Sequence, residues 1–90
     1  GDGDLTAAAA AYARAVTLGP DDAAARNNLA QALSDAGCRA EARRQLERAV
    51  ALAAGTALAT AVEASRAKLE EGNPLAGGGR CMLPDRDWPD

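Results

Sequence analysis

Two stretches of the chain, Arg14-Ala15-Val16-Thr17-Leu18 and Arg48-Ala49-Val50-Ala51-Leu52, agree at four of five positions and lie 34 residues apart. At the same offset Gly3 stands opposite Gly37, Ala8 opposite Ala42, and Tyr12 opposite Leu46. Alanine-rich composition alone does not keep glycine, a large apolar residue and the Arg-Ala-Val-x-Leu run in step over such a distance. A period of this length belongs to a helix-turn-helix unit that stacks on copies of itself, because one unit cannot bury its apolar side alone.

The residues around the repeat favour helices. Alanine exceeds a quarter of the 90 residues, and the aromatics are only Tyr12 and Trp88. Alanine loses no side-chain entropy in a helix and lets helix axes approach closely. No segment alternates Val, Ile, Thr or aromatics with period two, so no strand is expected. The spacing predicts helices at about 4–18, 22–36, 39–53 and 56–71. Asp4 or Thr6 would cap the first, with Gly19-Pro20 ending it; Asp21 or Asp22 would cap the second, and Gly37 suits the left-handed residue after it. Thr56 would cap the fourth, which ends at Gly72 before Asn73-Pro74. Ala42, Leu46, Ala49, Val50 and Ala53 form one face of the third helix; Leu58, Val62, Ser65 and Leu69 form a stripe on the fourth. The expected class is all-α: a right-handed α-α superhelix of about four antiparallel helices in a repeat domain at 1–72, followed by an irregular Gly/Pro-rich tail at 73–90.

These residues resemble a tetratricopeptide repeat. The family's large and small residues of the first helix fall on Leu29 and Ala30, and Leu33 stands where Tyr is usual. Gly37 takes the turn, Ala42 the small position of the second helix, Leu46 the large position, and Ala49 the next small one. Ala54 occupies the place where Pro ends a repeat, a feature the preceding half-repeat keeps as Pro20. Arg26 departs from the pattern by replacing Trp, and register drifts after Gly55. The resemblance implies a protein-binding scaffold whose first helix of each repeat lines a concave groove. On that reading Asn27, Asn28, Gln31, Ser34 and Asp35 would meet a peptide or partner, since amides offer both donors and acceptors to a main chain. The plainer reading of the same stripe is a solvated helix face. A carboxylate clamp is not expected, because Leu58 and Val62 stand where cations would be needed; Arg66 and Lys68 are the nearest candidates, beside Glu63, Glu70 and Glu71.

Several classes of function are disfavoured. The chain has no histidine, the commonest general base and metal ligand. Two cysteines cannot complete a zinc site unaided, and no phosphate-binding or nucleophile motif occurs; Gly77-Gly78-Gly79-Arg80 reads as linker. The chain is therefore expected not to be an enzyme and to need no cofactor or metal. Net charge is −3 with both signs interspersed, which argues against nucleic acid. No apolar run approaches the roughly 20 residues needed to span a bilayer.

The tail poses two alternatives. Gly, Pro and Asp enrichment reads as disorder, yet Leu75, Met82, Leu83 and Trp88 are residues that pack against helices or another chain. Cys38 sits at the turn closing the second helix, and Cys81 follows the fourth helix by about ten residues, within reach of a disulfide. Such a bridge would contribute roughly 3–4 kcal/mol on the chain-entropy reckoning and point to a periplasmic or extracellular setting. Two free thiols in a reducing cytosol are the alternative. The leading expectation is a peptide- or subunit-binding module. A structural accessory subunit held by its tail and open repeat ends, as a homo- or hetero-oligomer, is the rival, and a repeat segment of a multidomain enzyme is a third reading.

Overall fold

The computed structural model describes residues 2–71 together with Cys81, Leu83, Trp88 and Pro89. Four helices follow one another: α1 (Asp2–Leu18), α2 (Ala23–Asp35), α3 (Arg39–Ala53) and α4 (Ala59–Glu71). No strand occurs among the described residues. The fold is all-α, an array of helices in the manner of stacked repeats.

Each boundary has a local cause. The Asp22 carboxylate accepts from Ala25 N–H at 3.1 Å, satisfying one orphan donor at the start of α2. At the other end, Cys38 N–H donates to Leu33 C=O at 2.8 Å and Gly37 N–H to Ser34 C=O at 3.0 Å. This is a Schellman closure, and it requires the positive φ of 82° that Gly37 supplies without a Cβ clash. Ala54 ends α3 with φ −55° and extended ψ, the conformation in which a proline is at ease.

Two expected boundaries shift. Helix α1 begins at Asp2, so Asp4 and Thr6 lie inside its first turns and neither caps it. Helix α4 begins at Ala59 because Thr56 closes a turn instead: its hydroxyl donates to Ala53 C=O at 2.6 Å and accepts from Leu58 N–H at 3.2 Å. Leu58 consequently lies in that turn, 42% exposed, and drops out of the stripe that buries Val62 and Leu69.

The core lies between α2 and α3. Leu29, Leu33 and Ala30 of α2 meet Ala42, Leu46, Ala49 and Ala53 of α3, all essentially buried. Alanines on both helices let the two backbones nest while the leucines fill the space between them. Helix α1 repeats α3 in backbone but not in burial. Ala8, Tyr12 and Ala15 match Ala42, Leu46 and Ala49, yet Ala8 is half-buried, Tyr12 is 37% exposed and Ala15 is exposed. The buried face of α1 is instead Ala9, Ala13 and Val16, packed toward α2. In the repeat register these correspond to Arg43, Glu47 and Val50, on the side where α3 meets α4. So α1 stands to α2 as α3 stands to α4, and the face of α1 equivalent to the α3 surface that grips α2 lies open.

Polar contacts complete the α3–α4 junction. The Arg39 guanidinium donates to Leu69 C=O at 2.9 Å and Glu70 C=O at 3.2 Å, a cation placed on the negative end of α4. Arg43 forks onto Glu70 at 3.1 and 3.5 Å; both side chains are half exposed, so this pair contributes about 0.2–1 kcal/mol at most.

Arg26, standing where the repeat pattern has Trp, is 3% exposed. Its Nε donates to Pro20 C=O at 2.9 Å and its Nη1 to Gln45 Oε1 at 3.0 Å. Gln45 is fully buried and donates from Nε2 to Pro89 C=O. Arg44 donates to Glu41 and, at 3.4 Å, to Trp88 C=O. Leu83 is 8% exposed, and Trp88 packs half-buried against the core. Cys38 and Cys81 stand sulfur to sulfur with Cα atoms 4.1 Å apart. Leu75, Met82 and the stretch Gly77–Arg80 fall outside the described residues.

Leu33→Ala should be the more damaging of two test substitutions, costing about 2–5 kcal/mol through lost burial and a residual cavity. Asp22→Ala should cost about 0.5–2 kcal/mol through the lost cap. Urea unfolding followed by helical circular dichroism measures both.

Candidate functional site

Helices α2 and α4 approach one another beside α3, and a cleft of about 140 Å³ opens between them. Spacings of three and four place Ala30, Gln31, Ser34 and Asp35 on one wall and Ser65, Lys68 and Leu69 on the other. Leu46 of α3 closes the bottom. Ala30, Leu46 and Leu69 are buried, so the floor is apolar, while Gln31, Asp35 and Lys68 are exposed at the rim. The small side chain of Ala30 is what leaves the space. A hollow of this size admits one side chain of a partner rather than a whole small ligand.

The rim chemistry suits a polypeptide. Gln31 offers donor and acceptor, Ser34 and Ser65 add hydroxyls, and Asp35 and Lys68 supply opposite charges on opposing walls. Lys68 lies in the last turn of α4, where a cation is favourable. Asp35 is the last residue of α2, where a carboxylate works against the macrodipole by about 0.3–1 kcal/mol. Helix stability therefore does not explain the aspartate; it sharpens negative potential at one end of the cleft.

The five candidate residues of α2 divide. Gln31, Ser34 and Asp35 line the cleft. Asn28 is exposed and shares their stripe by spacing, one turn toward the N-terminus and outside the lining. Asn27 is half-buried, and its Oδ1 is shut from solvent with no hydrogen-bond partner. Arg66 faces elsewhere, 3.6 Å from Glu63 in an exposed i,i+3 pair. Reading single helices named Lys68 only as a candidate cation beside Arg66 and left Ala30, Leu46, Ser65 and Leu69 unassigned to the site, because their sharing of one hollow depends on how α4 lies against α2. Among the described residues no cluster of three or more His, Cys, Asp or Glu could hold a metal ion, and no helix is long and apolar enough to cross a membrane.

A family model for the tetratricopeptide repeat matches residues 1–72. No curated protein and no solved structure matches the chain.

Because the rim residues rest on the core without entering it, Gln31→Ala and Lys68→Ala should each shift the unfolding free energy by no more than about 0.5 kcal/mol. Urea titration checks this and qualifies both as probes of binding.

Proposed function

This chain belongs to the tetratricopeptide repeat family, and from that premise we propose that it is a protein-interaction module that takes an extended polypeptide segment in the α2–α4 cleft. The observation that carries the reading is the pairing of an apolar floor (Ala30, Leu46, Leu69) with a rim of amide, hydroxyl and opposed charges drawn from two helices. One partner side chain enters the hollow, while its main chain runs past Gln31 and the serines. Asn28 extends the polar stripe toward the α2 N-terminus and meets the next residue of the segment. Recognition of this kind calls on no catalytic group, and neither cofactor nor metal enters the reading.

The open face of α1 supports a second contact. Tyr12 and Leu18, 37% and 80% exposed, stand among alanines with Arg14 the only charge between them. This surface fits the role of an accessory subunit joined to a homo- or hetero-oligomer through an open repeat end. The exposed residues of α4 include Glu63, Arg66 and Glu71 beside Ala61, Ala64 and Ala67, while Glu70 is paired with Arg43 of α3. The juxtaposed Cys38 and Cys81 support a setting where disulfides persist, outside a reducing cytosol.

Peptides selected by display against the intact chain test the cleft. Their affinity should fall about tenfold on combining Gln31→Ala with Lys68→Ala, the loss of one or two hydrogen bonds to a charged or amide group. Selected peptides that bind the double variant unchanged would remove the cleft from the mechanism. Sedimentation of Tyr12→Glu beside the parent chain tests the α1 face: an oligomer should dissociate, and a parent that is monomeric throughout argues against that contact.

A further inference from the structure

The α3 surface that carries Glu41, Arg44 and Gln45 holds a different set of contacts from the cleft, and neither Arg44 nor Gln45, which hydrogen-bond the tail, lines the cleft. We propose that this surface is a second recognition site, built for an extended peptide bearing Trp-Pro and occupied in cis by the chain's own C-terminal segment.

Three observations converge. The first is polar and buried. Gln45 is 0% exposed in the middle of α3, a position that ordinarily takes an apolar residue. Its oxygen is held by Arg26, which is in turn anchored on Pro20 C=O, so the amide is turned with its nitrogen toward Pro89 C=O. Arg44, steadied by Glu41, reaches the adjoining carbonyl of Trp88. Two successive main-chain carbonyls are therefore read by two successive residues of one helix. Such contacts recognise an extended strand of peptide without regard to its side chains.

The second is apolar. Trp88 packs half-buried against the core and Leu83 is 8% exposed, which gives the segment side-chain anchors at two points. An aromatic anchor beside a desolvated polar contact is the usual make-up of a strong recognition spot.

The third is the tether. The covalent approach of Cys81 to Cys38, at the start of α3, brings the segment to this helix. Tethering at that point raises its local concentration to the order of millimolar, so the cis occupant excludes weak competitors.

Two experiments on the full chain decide it. Trp88 is the only tryptophan, so its emission and its quenching by acrylamide report occupancy directly. Gln45→Glu keeps an acceptor for Arg26 but puts a second acceptor where the donor to Pro89 stood. Trp88 in the parent chain should be shielded, and in Gln45→Glu it should approach the quenching of a free peptide of residues 81–90, with helical circular dichroism retained. Equal quenching in the two chains overturns the proposal.

The second experiment does not depend on how that variant folds. A fluorescein-labelled peptide of residues 81–90, with Cys81→Ser, is titrated into the full chain carrying Cys81→Ser and Trp88→Ala, and into the oxidised parent. The opened chain should bind it at least about tenfold more tightly than the parent, whose site is filled in cis. No binding to the opened chain, or equal binding to both, overturns the proposal. So does a peptide displaced by Gln31→Ala with Lys68→Ala, since that outcome puts it in the cleft and leaves the cleft reading standing.

Discussion

Everything in this molecule hangs on the seam between α2 and α3, where Leu29 and Leu33 lie against Ala42, Leu46 and Ala49 with essentially no exposure. With no Phe and a single, exposed Tyr, the chain cannot build a thick core of large rings. It relies on close approach instead. Small residues on both helices let the backbones draw together, so that a few leucines make dense contact over a short interface. The Schellman closure at Gly37 fixes the angle at which α3 returns, and the seam would be lost if α3 returned at another angle.

The cleft is a consequence of that seam. Once α3 is locked on α2, its neighbouring face sets the position of α4 through Arg39 on the α4 carbonyls and Val62 and Leu69 in the core. Helix α4 then runs beside α2 with Ala30 between them, and the small side chain leaves a hollow where Leu46 shows through from below. The two ends of the array differ in kind. The α1 end exposes Tyr12 and Leu18 among alanines, whereas α4 sets Glu63, Arg66 and Glu71 among its exposed alanines, so the α1 helix leaves more large apolar surface in water.

The replacement of Trp by Arg at position 26 has a wider effect than a single side chain. A buried guanidinium needs acceptors, and it finds them in Pro20 and Gln45. Gln45 in turn needs an acceptor for its nitrogen, and the carbonyl of Pro89 supplies it. One polar substitution inside the repeat is thus propagated through two helices to the C-terminal segment, where Trp88 contributes aromatic surface against the core.

Much of the helical architecture could be read along the chain, because a 34-residue recurrence and small residues at fixed places act through short-range propensity and helix periodicity. A cap at Asp21 or Asp22 and Gly37 as a left-handed closure were legible for the same local reason, and the structure selects Asp22. Thr56 misled: a hydroxyl before a helix caps it or turns back on the preceding carbonyl, and only the position of Ala53 selects between the two. Of the cleft, the α2 wall was legible as a polar stripe on one helix. The other wall and the floor were not, since Ser65, Lys68, Leu69 and Leu46 join it only through the packing angle of α4. The unequal burial of Tyr12 and Leu46, matched in register, likewise depends on which helix lies alongside. Residue types and intervals thus established which segments are helical and which of their faces are apolar. Packing in three dimensions assigned neighbours to those faces, because contact between residues far apart in the chain is fixed by side-chain volume and crossing geometry that no local pattern encodes.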